Sequence, residues 1–215
     1  MAITRAQHRT PADDAVAYYE SLLEQHGAVA SGVGWNSDLA QVERFVHLCE
    51  ILPLEDAAVS VLDFGSGFGA LAEFLAARRK QFTYVGYDAS QRMIDSARAR
   101  FDDPRVRFES DWQMVPPCQY GVASGVFNVR GEWSDARWWN YIQETLHSLH
   151  DRVTSGWSAN FLTCHSDPGL MRPELYYADP MLLFDWCHRN LSRFVAIHHD
   201  YPLYDFTILV RKNHG

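Results

Sequence analysis

The sequence predicts an α/β fold in which helices cover both faces of a mostly parallel β-sheet. From residue 59 onward, short runs rich in β-branched and aromatic residues alternate with helical segments, which is typical of such sheets. The last two predicted strands are joined by about seven residues, too few for a parallel crossover, so they should be antiparallel neighbours. The chain has 215 residues, 47% of them hydrophobic, which suffices for one well-packed core.

Two helices are expected before the sheet. Thr10-Pro11-Ala12-Asp13 combines a capping Thr, a Pro at the first helical position and an acid at the third, and predicts a helix to about Gln25. A glycine-rich loop follows, after which Ser37 or Asp38 caps a second helix. The apolar residues of this helix recur at helical spacing and form its predicted buried face: Leu39, Val42, Phe45, Val46 and Cys49. Arg44 lies opposite this stripe.

The rest of the chain is predicted to form a seven-stranded sheet and four more helices. The strands are predicted at residues 59–64, 84–88, 106–109, 120–127, 156–163, 194–198 and 206–212. The helices are predicted at residues 71–79, 91–101, 134–153 and 180–191. Ser90 is placed to cap the second of these helices.

Composition excludes several classes of protein. No apolar run approaches the roughly 20 residues of a membrane span. The first residues lack the apolar segment of a secretory signal peptide, so we expect a cytoplasmic protein without a membrane partner. A net charge of −8 argues against a general nucleic-acid binder. The four cysteines fit no zinc or redox motif, and His198-His199-Asp200 is predicted to be structural because neighbouring strand residues face opposite sides, so no metal site is expected.

The segment after the first predicted strand carries the sharpest signal. It reads Asp63-x-Gly65-x-Gly67-x-Gly69, and its glycines allow a tight turn and a close approach of ligand to backbone. Gly65-x-Gly67-x-x-Ala70 also satisfies the nicotinamide-dinucleotide fingerprint. Asp63 separates the two interpretations, because its carboxylate would repel a pyrophosphate and favour a ligand that carries an ammonium group.

These residues resemble the class I S-adenosylmethionine (SAM) dependent methyltransferases, of the small stand-alone bacterial type. Their first motif, acid-x-Gly-x-Gly-x-Gly, is matched at every position, and the resemblance covers about residues 37 to 212. It implies a Rossmann-like sheet with an antiparallel last strand, here with an N-terminal helical extension. It also implies SAM as cofactor and S-adenosylhomocysteine (SAH) as product.

The resemblance assigns further residues to the cofactor. Asp88 matches the acid that ends the second strand and binds the ribose diol. Asp111 matches the polar residue that holds the adenine amino group, with Trp112 packed on the adenine ring. Arg44 is either a ligand of the methionine carboxylate or an ordinary surface charge. The cofactor contacts implied near the same strand ends are Ser66, Ala89, Met93 and Ser124.

The acceptor site is expected over the ends of the fourth and fifth strands, because ligands of open α/β sheets bind at the carboxyl ends of strands. Asn128 and His165 are the catalytic candidates there. The predicted substrate-binding residues are Tyr19, Trp35, Asn36, Arg130, Trp133 and Tyr177, of which Trp35 and Asn36 lie in a lid-like loop. Packing of the first helix, or a solvated Arg130, would explain part of this set equally well. Asn128-Val129-Arg130-Gly131 departs from the Asn-Pro-Pro-aromatic motif of DNA adenine methylation.

The sequence therefore predicts one methyltransferase domain over residues 1–215. Residues 1–36 form a helix and a lid-like loop, and residues 37–215 form the SAM-binding core. The predicted reaction transfers the sulfonium methyl group in line to a small-molecule acceptor. Two alternatives stay open: an NAD(P)-dependent oxidoreductase, and a SAM-binding regulatory protein without turnover. The residues leave the identity of the acceptor and the oligomeric state open.

Overall fold

The fold is that of a seven-stranded, mostly parallel sheet, as expected. The computed structural model describes residues 9–29, 38–54 and 57–212. Its strands are β1 (Val59–Phe64), β2 (Phe82–Tyr87), β3 (Val106–Glu109), β4 (Cys118–Ala123), β5 (Val153–Leu162), β6 (Phe194–His198) and β7 (Asp205–Arg211). They lie in the order β3-β2-β1-β4-β5-β7-β6. Strand β7 runs antiparallel to both β5 and β6, while the other neighbours are parallel. The strand order reverses direction between β1 and β4. In open α/β sheets a ligand crevice forms at such a point, beyond the carboxyl ends of the two strands.

Helices pack on both faces of the sheet. They are α1 (Pro11–His26), α2 (Asp38–Cys49), α3 (Ala70–Arg78), α4 (Gln91–Arg100), α5 (Asp135–Arg152) and α6 (Pro180–Asn190). Helices α5 and α6 share one apolar cluster with the sheet, and α2, α3 and α4 share the other. No helix within the described ranges is both long enough and apolar enough to cross a membrane.

Local signals in the sequence set the starts of these helices. Thr10 and Asp13 form a reciprocal capping box at α1, and Pro11 occupies its first turn. Ser90 caps α4 by accepting from the backbone N–H of Met93, and Ser134 caps α5. Each cap satisfies backbone donors that have no partner within the helix.

The fourth strand is shorter than predicted. It ends at Ala123 rather than at residue 127, because Gly125 adopts a left-handed φ of 73° and turns the chain away from the sheet. The backbone N–H of Gly125 donates to the side chain of buried Asn160 at 2.9 Å, which holds the turn against β5. The small residues that resembled a strand therefore form a loop at the carboxyl edge.

The predicted buried face of α2 was wrong. Leu39 is 82% exposed, whereas Leu48 is fully buried and Arg44 is 7% exposed. Arg44 donates from Nε and Nη2 to the two carboxylate oxygens of Asp205, at 2.6 and 3.0 Å. This ion pair turns the Arg44 side of the helix toward β7, so part of the apolar stripe faces outward. Arg44 is neither a surface charge nor part of the wall of the ligand cavity described below.

Candidate active site

A cavity of about 190 Å³ lies over the carboxyl ends of β1, β2 and β4. Helix α1 forms its opposite wall. Eight of the predicted cofactor residues line it: Asp63, Gly65, Ser66, Gly67, Asp88, Ala89, Met93 and Ser124. The predicted substrate residue Tyr19 lines it as well. The sequence motifs therefore meet in one cavity, because the ends of parallel strands share one edge of the sheet.

The glycine turn after β1, residues 65–69, packs closely against its neighbours at this cavity. Gly65 and Gly67 have φ values of 77° and 53°, which non-glycine residues rarely adopt. A side chain on Gly65 would place its Cβ 2.5 Å from Val126 of the loop after β4. Gly69 begins α3 at a φ of 89°, where a Cβ would meet the ring of Phe108 at 2.8 Å. Gly69 therefore shapes the turn without lining the cavity.

Asp88 is oriented by backbone amides at the end of β2. Its Oδ2 accepts from the N–H of Gly67 and its Oδ1 from the N–H of Ser90, both at 2.9 Å. Burial raises the pKa of Asp88 above its ordinary value, and the two amide hydrogen bonds oppose this shift. Each carboxylate oxygen keeps a further lone pair for a ligand, which suits a vicinal diol.

Asp63 is the last residue but one of β1 and is less exposed to solvent than Asp88. It is 2% exposed and accepts a hydrogen bond of 2.5 Å from the hydroxyl of Tyr84. Burial raises the pKa of Asp63 to about 7, against the lowering effect of the Tyr84 hydrogen bond. A cationic ligand in the cavity would favour the charged carboxylate.

Two buried hydroxyls line the cavity. Within the described residues, neither Ser66 Oγ nor Ser124 Oγ has a hydrogen-bond partner. Both residues belong to the cavity wall. Buried polar groups are normally satisfied, so these two hydroxyls mark places where a ligand would supply polar atoms.

Helix α1 is fastened over the cavity by polar contacts. Tyr19 donates its hydroxyl to the carbonyl oxygen of Gly125 at 3.0 Å. The Oγ of Ser90 donates to Glu20 at 2.6 Å, and the indole N–H of Trp133 donates to Asp14 at 3.0 Å. Burial raises the pKa of Tyr19, so its hydroxyl stays a neutral donor at physiological pH. Trp133 therefore holds α1, and its predicted contact with substrate stays a prediction.

A network of buried polar side chains supports the cavity wall. Asn160 of β5 donates from Nδ2 to Asp205 at 2.7 Å and accepts from the backbone of Gly125. Asp205 is also the partner of Arg44. A series of hydrogen-bonded side chains therefore connects α2, through β7 and β5, to the cavity wall. Asn160 and Asp205 are both fully buried. The position of the Gly125 turn thus depends on residues that never reach the cavity.

The comparison with known proteins decides the family. Residues 61–151 match a protein-family model described as a methyltransferase domain. Rv1506c of Mycobacterium tuberculosis (strain H37Rv), named as a candidate methyltransferase, is 45% identical over 154 residues, which are 71% of this chain and 93% of that protein. The chain belongs to the class I SAM-dependent methyltransferases. Membership in this family removes the nicotinamide interpretation of the glycine turn.

Solved structures show the same fold as this methyltransferase. The magnesium protoporphyrin IX methyltransferase ChlM of Synechocystis PCC 6803, with bound SAM, aligns at a TM-score of 0.66 and 13% identity, covering 98% of this chain and 100% of that one. The plantazolicin methyltransferase BpumL, in complex with SAH and a substrate analogue, aligns at 0.61 and 12%, covering 93% and 96%. At identities this low, the alignments show only that the architecture is shared. The acceptors named for these two enzymes are not thereby acceptors of this chain.

The two predicted adenine contacts of the methyltransferase lie outside this cavity. Asp111 is exposed and accepts from the N–H of Gln113, capping a short 3₁₀ turn. Trp112 packs edge-on against Phe64 and Tyr87. It lines a second cavity of about 360 Å³, to which Phe64 and Tyr87 also contribute. Their contacts with adenine stay a prediction.

The predicted acceptor residues are not gathered in one place. Arg130 donates to the carbonyl oxygens of Trp133 and Pro173, at 2.8 and 2.6 Å, so it ties two loops together. Arg130 is therefore engaged with the protein rather than freely solvated, and its role as a substrate clamp stays a prediction. Tyr177 accepts from the N–H of Arg172, and His165 is exposed; neither residue lines the cavity. Trp35, Asn36 and most of the expected lid loop lie outside the described residues.

Asn128 differs from the acceptor candidates Arg130, Tyr177 and His165 because it is buried. It is 6% exposed, and its Oδ1 has no hydrogen-bond partner within the described part of the chain. Its carbonyl oxygen accepts from the N–H of Tyr176, which joins the loop after β4 to the segment before α6. The backbone of Asn128 is therefore held in place, while its side-chain oxygen has no partner among the described residues, and Asn128 does not line the cavity.

Sequence reasoning missed the helical part of the cavity wall. The missed residues are Ala12, Ala15 and Val16 of α1, Gln41 and Phe45 of α2, and Tyr141 and Thr145 of α5. Several of them lie one helical turn apart, which is a detectable spacing. The same spacing also describes the residues that pack into the core, so the pattern does not separate a cavity wall from a core stripe.

Proposed function

We propose that this methyltransferase binds SAM in the cavity beneath α1 and transfers the methyl group to a small-molecule acceptor by in-line displacement. The observation that carries this proposal is the pair of carboxylates, Asp63 and Asp88, on either side of a glycine turn. The neighbouring hydroxyls of this turn have no partner within the part of the chain that the structure describes. SAM supplies an electrophilic sulfonium methyl, so the protein has to align the acceptor and exclude water rather than provide a reactive group.

Each lining residue has a defined part in this proposal. Asp88 accepts hydrogen bonds from the ribose hydroxyls, because its two oxygens are already aligned by backbone amides. Asp63 pairs with the ammonium group of the cofactor, which offsets the cost of burying an ionised carboxylate. Ser66 and Ser124 complete the polar contacts that burial otherwise leaves unmade.

Three features support a small molecule as the acceptor. Helix α1 forms part of the cavity wall, which leaves a space of about 190 Å³ that suits a small ligand. Aromatic side chains of Tyr19, Tyr87 and Tyr141 surround the space, as is common in small-molecule sites. The net charge of −8 disfavours a nucleic acid. We assign the unused acceptor of Asn128 to hold the substrate, and we keep His165 as the candidate base for an acceptor that reaches over β5.

Calorimetric titration with SAH, with NADH in parallel, tests the cofactor assignment. We expect micromolar binding of SAH and none of NADH. Release of SAH from SAM is then measured with a panel of phenols, carboxylates, thiols and amines. Binding of NADH instead of SAH would contradict the assignment of SAM to this cavity. Binding of SAH without turnover on any member of the panel would favour the regulatory alternative.

Charge placed on the inner face of α1 should weaken cofactor binding. Val16 lines the cavity and its neighbour Ala17 is exposed. We expect Val16→Glu to weaken SAH binding by at least roughly tenfold, because it buries an unpaired carboxylate beside Asp63 and Asp88. Ala17→Glu adds the same charge on the outer face and should bind normally. Equal affinities of the two variants, measured calorimetrically, would contradict the position of α1 over the site.

The affinity for SAH should rise with pH. Because burial raises the pKa of Asp63 to about 7, the ligand ammonium meets a neutral acid at lower pH. Binding that requires the ionised form should strengthen roughly twentyfold between about pH 5.5 and pH 7.5, losing about tenfold per unit well below the pKa. Calorimetric titrations across this range measure the effect, and constant affinity would refute the pairing.

Asp63→Asn is the control for this pH dependence. The variant should bind SAH weakly and equally at both ends of the range. It should still fold: a pKa raised from 3.8 to about 7 means that ionisation of Asp63 costs stability as the pH rises through this interval. Asparagine has no such cost, so the melting temperature of the variant at pH 7.5 should equal or exceed that of the wild type. A lower melting temperature would mean that the Tyr84 contact needs the carboxylate.

A further inference from the structure

We propose that His47, Glu50 and His198 form a binding site for a divalent transition metal such as Zn²⁺, outside the cofactor cavity. Glu50 places one carboxylate oxygen 2.8 Å from Nδ1 of His47 and the other 2.9 Å from Nδ1 of His198. One donor atom from each residue lies within 4.8 Å of the other two. The three residues come from the end of α2 and the end of the edge strand β6, so the fold brings together donors that are far apart in sequence.

The donor set suits a borderline metal ion. Two imidazole nitrogens and one carboxylate oxygen are ligands of Zn²⁺, Co²⁺ and Ni²⁺, whereas Mg²⁺ and Ca²⁺ prefer oxygen alone. Zinc bonds of about 2.1 Å set tetrahedral ligand atoms about 3.4 Å apart. Glu50 and His198 keep partly exposed side chains, so small rotations bring the donors to these distances. Water would complete the coordination from the solvent side.

The surroundings of His47 resemble those of a metal-bound histidine. Its second nitrogen, Nε2, lies 3.4 Å from a carboxylate oxygen of Glu43, one helical turn earlier. A metal-ligating histidine commonly donates its other N–H to a carboxylate in this way. The imidazole also stacks on Tyr201, with ring centroids 4.1 Å apart and planes at 17°, and the Tyr201 hydroxyl pairs with Thr207. The ring is thus oriented before any ion binds.

Charge favours a cation at this position. Glu43 and Glu50 together offset the charge of a divalent ion. Arg211 also approaches, but its guanidinium donates to the carbonyl oxygen of Glu50, at 3.3 Å, rather than to the carboxylate. Without an ion, the imidazoles of His47 and His198 donate hydrogen bonds to the carboxylate of Glu50. A metal ion that binds here takes the place of the two donated protons.

The role of this site is structural. None of the three ligands lines the cofactor cavity, whereas α2 contributes Gln41 and Phe45 to the cavity wall. A bound ion would join the end of α2 to β6 and stabilise the folded state by mass action. His198 is therefore a proposed metal ligand, whereas His199 and Asp200, which follow it in the sequence, are not. Its partners come from the end of α2.

Metal titration of the tag-free protein, treated first with chelator, tests the site. We expect Zn²⁺ to bind with a stoichiometry of one and micromolar affinity by calorimetry, and to raise the melting temperature by several degrees. Co²⁺ should give the visible absorption of a four- or five-coordinate ion. Glu50→Gln and His198→Gln should each weaken Zn²⁺ binding by at least tenfold. These readouts need neither SAM nor an acceptor, so they are independent of the proposed function.

His199→Gln is the matched control. His199 is exposed and directly follows His198, but it makes no contact with His47 or Glu50 among the described residues. This variant should bind Zn²⁺ like the wild type. The proposal is overturned if the wild type binds no Zn²⁺ below millimolar concentration. It is equally overturned if the Glu50 and His198 variants bind as tightly as the His199 variant, since the ion would then lie elsewhere.

Discussion

Replacing Asp88 by alanine should weaken SAH binding by at least tenfold and by up to about a hundredfold. Loss of hydrogen bonds to a charged group costs about 1.5–3 kcal/mol, and each 1.4 kcal/mol is a factor of about ten in affinity. The same substitution frees the backbone amides of Gly67 and Ser90, so the glycine turn also loses its support. Calorimetric titration with SAH measures the change.

Asp95→Ala separates this effect from a general loss of charge. Asp95 is exposed on α4 and accepts a hydrogen bond from Gln91 one turn earlier, so its removal should leave affinity unchanged. Asp88→Asn keeps one carbonyl acceptor and should fall between the wild type and Asp88→Ala. If Asp88→Ala retains its melting temperature and binds SAH normally, Asp88 does not hold the ribose.

Of the single substitutions considered, Asp205→Ala should lower the stability of the folded protein most. Asp205 is fully buried and accepts hydrogen bonds from Arg44 and Asn160. Its removal leaves the guanidinium of Arg44 buried without its carboxylate, which typically costs about 3–5 kcal/mol. For a chain of this size that corresponds to a melting temperature lower by roughly 6 to 20 °C. Thermal unfolding measures the loss.

A double variant tests whether the buried charge is the cause. Arg44→Met combined with Asp205→Leu removes both charges and should recover much of the lost stability, because apolar pairs often replace buried ion pairs without loss. Asp185→Ala removes an acid from an exposed pair with Arg189 and should change stability by less than about 1 kcal/mol. Equal melting temperatures of Asp205→Ala and Asp185→Ala would show that the buried pair carries no stability.

Local signals predicted most of the architecture. The first, third and sixth strands have the predicted bounds, because β-branched and aromatic runs end at turn residues there. The capping box at Thr10 and the caps at Ser90 and Ser134 set helix starts from short-range hydrogen bonds. Residues that follow strand ends were placed correctly for a general reason: parallel strands bring their carboxyl ends to one edge.

Contacts between distant residues decided the rest. Helical periodicity identified α2 but not its buried face, because Arg44 finds its acid 161 positions away in β7. Asn160 likewise holds Gly125 from 35 positions away in the sequence. His47 and Glu50 meet His198 only because the fold brings the end of α2 next to the end of β6.

The amino-acid sequence by itself thus determined the fold class, the glycine turn and the two acids that line the cavity at the strand ends. Each of these depends on neighbours along the chain. The structure alone decided which helix faces line the cavity, what holds Arg44 and Arg130, and where a metal ion would bind. Those outcomes depend on pairing between charges and rings from separate elements, whose free energies exceed the local preferences that the sequence displays.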